Sequence, residues 1–178
     1  MFHSIPTTYR GINFRSRLEA KYAAIFDQLG WTWEYEPVDL KGWIPDFVIK
    51  GRKPIYVEIK PVWDHDEVER VGSEIVTALN LRSEDAKAEA LICGAHLPEN
   101  NFGVPALGWL WDSWDNSWSP SHVFKLEGGG HDICSDVGSY GGRITGIHDG
   151  DHHLHLGAAD LRSMWVEAGN IVQWRGAS

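Results

Sequence analysis

The chain has 178 residues, 43% of them hydrophobic and ten of them tryptophan, with a formal net charge of −9. That length suits one domain with a core of ordinary size. No stretch approaches the roughly 18 apolar residues of a membrane span, and "MFHSIPTTYRGINFRS" lacks the apolar centre of a secretory signal, so a soluble cytoplasmic protein without a membrane partner is expected.

Charge is uneven along the chain. Residues 1–60 carry nine Lys or Arg against seven Asp or Glu, and residues 61–178 carry seven against eighteen. The early segment can approach phosphates, whereas the acidic remainder is a solubilising surface or a face for a basic protein partner. Cys93 and Cys134 lie too far apart to suggest a disulfide framework, which agrees with a reducing compartment.

In chain order, "FRSRLEAKYAAIFDQLGW" spaces Leu18, Tyr22, Ile25, Phe26 and Leu29 as one helical face, with Gly30 at the stop. "TWEYEPVDL", "WIPDFVIK" and "PIYVEIKPV" read as three strands of an antiparallel meander, joined around Lys41-Gly42 and Gly51-Arg52-Lys53. Val68, Val71, Ile75 and Leu79 mark a second helix from Asp66 to about Asn80, and "AEALICGAH" supplies another strand. Beyond His96 the pattern loosens. "WLWDSWDNSW" turns at Asp115-Asn116 into "SHVFKL", a Gly-, His- and Asp-rich stretch gives only turns and short strands, and a last helix spans about Ala158 to Ala168, ending near Gly169 and Asn170.

Strand phase points to chemistry. Tyr56, Glu58 and Lys60 share one face of their strand, while Val57 and Ile59 face the other. Asp46 opens the preceding strand directly after Pro45, a residue that favours a sheet margin or bulge. If the two strands are neighbours, Asp46 and Glu58 converge. Adjacent carboxylates repel and resist burial; a divalent cation removes that objection, and magnesium is commonly held by one or two carboxylates plus water. A lysine alongside can orient an attacking water or stabilise an anionic transition state. Structural readings compete at each position: Asp46 can brace a turn, Glu58 with Lys60 can be a solvated pair, and Ser16-x-x-Glu19 reads as a capping box. Arg15 and Arg17 suit phosphate contact or plain surface charge.

Pro45-Asp46, eleven intervening residues and Glu58-Ile59-Lys60, preceded by a helix with "RSRLEA", resemble the PD-(D/E)XK nuclease superfamily. The wording "FRSRLEAKYA...WEYEP...IPDF...VEIKP" looks most like its phage-type and transposon end-cleaving endonucleases, over roughly residues 10–96. The resemblance implies an α/β, restriction-endonuclease-like core of helix, three strands, helix and strand over residues 1–96, with residues 97–178 as a C-terminal elaboration packed on it in the same domain. It implies magnesium- or manganese-dependent hydrolysis of DNA phosphodiesters in a bacterial or phage-infected cell. Asp46 and Glu58 would bind metal, with the Ile59 carbonyl as a further ligand. Lys60 would serve the attacking water, and Glu19 would complete the site directly or through a water. A non-catalytic nucleic-acid- or protein-binding module of the same fold is the alternative.

Two further signals carry less. Trp109, Trp111, Trp114 and Trp118 could stack on unpaired bases, but burial in a hairpin explains them more simply. His131-x-x-Cys134 with His148, His152, His153 and His155 offers ligands for a structural zinc, yet no paired zinc motif is present. Cys93, inside an apolar strand, reads as a small buried residue.

Overall fold

A computed structural model describes residues 4–40, 42–99, 103–135, 141–147 and 158–173. Its first element is a hairpin that the sequence did not announce, in which β1 (Thr7–Tyr9) pairs antiparallel with β2 (Ile12–Phe14). Arg10 and Gly11, at φ 48° and 79°, make the turn, a backbone geometry that matches the twist of paired strands. Asp27 ties this hairpin to the following helix by accepting from the Tyr9 hydroxyl and from Arg10, both at 2.8 Å. Phe14 is buried, which fixes where the chain enters that helix at Arg15 and Ser16.

The helix α1 (Arg17–Gln28) closes as its pattern predicts. Gly30 has φ 75°, its N–H donates to the Asp27 carbonyl, and Trp31 N–H donates to Phe26 at 2.9 Å, which satisfies the last helical carbonyls. Next come β3 (Trp33–Tyr35), β4 (Phe47–Ile49) and β5 (Ile55–Ile59), the expected antiparallel meander. The helix α2 (His65–Ala78) then carries the chain to β6 (Glu89–Cys93), which runs parallel to β5.

The segment after residue 96 continues the same sheet. β7 (Trp109–Asp112), β8 (Ser117–Lys125) and β9 (His131–Ser135) add in antiparallel succession, giving a seven-stranded mixed sheet in the order β3-β4-β5-β6-β7-β8-β9. The last helix, α3 (Ala158–Ile171), runs through Gly169 and Asn170 instead of stopping there. Ala168 and Val172 are buried in the core that α1 shares, and that packing offsets the roughly 1 kcal/mol by which a helical glycine is disfavoured.

Alternation along the strands splits the core in two. Phe47, Val57, Leu91, Leu110 and Val123 meet α1 and α3 on one face. Ile92, Trp109, Trp111 and Trp118 meet α2 on the other. Three tryptophans of "WLWDSWDNSW" are thus core, while Trp114, at the β7–β8 turn, is exposed. The protein is therefore α/β, with a mixed sheet and three helices among the described residues. None of these helices is long and apolar enough to cross a membrane.

The α2 layer seats closely on Trp118. A Cβ on Gly72 would run into the indole nitrogen of that buried ring, so neither side can yield without repacking. Gly72→Ala is expected to destabilise the fold by about 1–3 kcal/mol, read as a lower urea midpoint with an unchanged slope.

Candidate metal centre

The β4–β5 register pairs Phe47 with Val57, so one step outward Asp46 comes opposite Glu58. Both side chains are buried, at 3% and 5% exposure, as is Glu19 at 7%. Each oxygen of the strand pair is engaged. Asp46 Oδ2 accepts from the Ile59 N–H at 2.7 Å and Oδ1 from Arg15 Nη2 at 2.5 Å. Glu58 Oε2 accepts from Trp43 Nε1 at 2.8 Å, while Oε1 lies 2.8 Å from Lys60 Nζ. Glu58 and Lys60 thus meet on the shared face that strand phase assigns them.

Glu19 reaches this neighbourhood from α1 and also caps it. Ser16 Oγ accepts from the Glu19 N–H at 3.1 Å, and its hydroxyl donates to Glu19 Oε1 at 2.8 Å. The other oxygen, Oε2, accepts from the Tyr35 hydroxyl at 2.6 Å and from the Arg15 N–H at 3.1 Å. The capping reading of Ser16-x-x-Glu19 therefore holds, with the return bond made to Arg15 in place of Ser16. Ser16→Ala removes the acceptor for an otherwise unpaired helical N–H and is expected to cost about 1 kcal/mol, measured by chemical denaturation.

Burial and charge set the protonation states. Asp46 is pushed up to about 7, first by desolvation and then by Glu58, with Glu19 adding to the effect. The Ile59 N–H and the Arg15 guanidinium oppose the rise, but Arg15 is 60% exposed and divides itself between Asp46 and Glu36, so water screens it. Burial acts to lower Lys60, yet the hydrogen bond and charge of Glu58 outweigh it and the ammonium is raised. Burial and the bond to Glu19 lift Tyr35 to about 12. At neutral pH Lys60 is consequently a cation and a donor, and Tyr35 a neutral donor.

The donor set is of the kind a hard cation takes: the carboxylate oxygens of Asp46 and Glu58 on neighbouring strands, whose mutual repulsion helps to raise Asp46. Among the described residues, no three or more His, Cys, Asp or Glu side chains stand together as a metal-holding group, and Glu19 sits within its capping network. Its oxygens are taken by Ser16, Tyr35 and Arg15.

A cleft of about 460 Å³ opens beside Lys60, lined by Arg17, Glu19, Ile59 and Trp63 among others. A second, of about 300 Å³, lies against Trp43, Glu58, Lys60 and Arg70. Lys60 borders both. Arg17 thus lines the first cleft, while Arg15, the other arginine expected at phosphate, stays largely exposed and pairs with Asp46 and Glu36.

Sequence reasoning missed Trp43 and Tyr35. Both polar tips find carboxylates, as a partly buried indole N–H or phenol usually requires, and that requirement is the only clue "KGWIPDF" and "WEYEP" offered. His131 and Cys134 stand three apart on β9, so strand alternation sends them to opposite faces, and His131 Nδ1 lies 3.1 Å from the Leu29 carbonyl. His148, His152, His153 and His155 lie outside the described residues. Between the pair, Asp132 accepts from the Ile144 and Thr145 N–H groups at 2.9 and 2.8 Å, a structural brace for residues 141–147. Cys93 is fully buried, as expected, and neither cysteine forms a disulfide.

Comparison with known proteins found no matching family model, no similar curated protein and no similar solved structure.

Proposed function

We propose that this chain is a metal-dependent nuclease that hydrolyses DNA phosphodiester bonds. On this reading α1 through β6 is a restriction-endonuclease-like core, and β7 to β9 with α3 are its elaboration. One observation carries the reading: Asp46 and Glu58 are buried on adjacent strands, with the Lys60 ammonium 2.8 Å from Glu58.

Asp46, Glu58 and the Ile59 carbonyl would hold magnesium or manganese. When bound, such an ion neutralises charge growing on the phosphoryl oxygens and makes a coordinated water more acidic. Lys60 donates to the attacking water or to the anionic transition state, a role that suits its protonated state and its place between two clefts. Ile59 N–H holds Asp46 in place, and Trp43 Nε1 does the same for Glu58. Glu19 is a positioning residue that fixes the start of α1 and the Tyr35 hydroxyl.

A binding module of the same fold is the rival, because Asp46 and Glu58 each already touch a cation, Arg15 and Lys60. Cleavage of plasmid and single-stranded DNA, with magnesium, with manganese and with chelator, separates the two when run beside Asp46→Ala and Lys60→Ala. The nuclease reading requires metal-dependent cutting that both substitutions abolish. Cutting that neither substitution affects, or none on any substrate, refutes it.

A further inference from the structure

Trp63 follows Lys60 by three residues and stays 56% exposed, an unusual position for the largest apolar side chain. It is not loosely held. Asp64 caps α2 by accepting from the Glu67 N–H at 3.0 Å, and Glu67 returns a carboxylate oxygen to the Trp63 N–H at 2.6 Å, so the capping box of α2 fixes the backbone that carries the indole. The His96 imidazole stacks on it, with centroids 5.1 Å apart and planes 16° apart. Trp63 lines the same 460 Å³ cleft as Arg17, Glu19 and Lys60, with Ile5 and Leu18 adding apolar wall. The Arg17 Nε is shielded from solvent there and has no hydrogen-bond partner.

A rigid, exposed indole beside two cations is the chemistry of a nucleotide site: the ring stacks a base and the cations meet its phosphate. A base already stacked in duplex cannot present its face to the ring, so the occupant is an unpaired nucleotide. We infer that the cleft between α1 and the Lys60–Trp63 turn is a subsite for a single-stranded nucleotide next to the scissile phosphate, with Trp63 as its stacking platform and Arg17 as its phosphate contact. This rests on the nuclease reading for its place beside the reaction centre, although the stacking itself needs no catalysis.

The test measures binding of a fluorescently labelled single-stranded oligothymidylate and of a blunt duplex, by anisotropy in chelator so that nothing is cut, using wild type, Trp63→Ala and Trp63→Phe. Trp63→Ala is expected to weaken single-strand binding about tenfold or more, Trp63→Phe to restore most of it, and duplex binding to change little. Equal single-strand affinity of Trp63→Ala and wild type overturns the subsite, as does an equal loss on the duplex or no single-strand binding by the wild type. Melting curves of Trp63→Ala exclude misfolding as the cause of a loss. The two readings fail separately: Trp63-dependent binding without cleavage under any condition removes the nuclease and keeps the subsite, and metal-dependent cleavage with Trp63-independent binding does the reverse.

Discussion

Lys60→Met is expected to lower metal-dependent DNA hydrolysis by about a hundredfold to a thousandfold, with the folded state intact. The Lys60 side chain is half exposed at the junction of two clefts, and methionine keeps its apolar stem, so the fold loses little. What disappears is a positive donor held 2.8 Å from Glu58, fixed where negative charge would develop during attack on phosphorus. A preoriented donor in a partly dehydrated cleft is worth far more in the transition state than in the ground state, so the loss falls on kcat with little change in KM. Lys60→Arg keeps the charge but replaces a compact ammonium with a planar fork, and only partial rescue is expected. Single-turnover cleavage of a labelled duplex and of a labelled single strand, with circular dichroism to check folding, measures the effect. A Lys60→Met protein that cuts at the wild-type rate removes Lys60 from the reaction.

How much of this arrangement was legible beforehand depends on the range of the interactions involved. Local rules located α1 at once, because Ser16, the Leu18 to Leu29 stripe and Gly30 each act within a few residues. Period-two alternation put Glu58 and Lys60 together, and the antiparallel meander then brought Asp46 opposite Glu58. What escaped was non-local or short. β1 and β2 alternate over only three residues each, too short a run in "TTYRGINF" to establish a period. Arg15 finds Asp46 across thirty-one positions of sequence, and nothing local distinguishes an arginine that contacts phosphate from one that pairs internally. β9 lay hidden in a glycine-rich stretch because its partner, β8, provides the pairing that its own composition does not favour. The spacing of His131 and Cys134 suggested ligands only while the backbone was unknown; once it is a strand, the same spacing separates them.

Asp46→Asn is expected to stabilise the protein above pH 7 while removing metal-dependent activity. In the folded state Asp46 titrates near 7, against 3.8 ordinarily, so the native state binds the proton more tightly than the unfolded chain does. Stability from this group is fully present below the unfolded value and is lost as pH rises through 7; a gap of about three units corresponds to about 4 kcal/mol when complete. Asparagine cannot ionise and keeps an acceptor for the Ile59 N–H, while Arg15 retains Glu36 at 2.8 Å. Some of the gain is offset by the lost bond to Arg15, which leaves a net stabilisation of about 1–3 kcal/mol at pH 8 that vanishes near pH 4. Melting temperatures across that range give the comparison, the variant's advantage growing through the window between the two titrations. Adding magnesium should raise the melting temperature of the wild type more at pH 8 than at pH 5, because the cation competes with a proton for the same carboxylate, and should leave the variant almost unmoved. A constant difference between the two proteins at every pH would mean that Asp46 carries no strained charge; a magnesium shift of equal size in both would mean that the ion binds elsewhere.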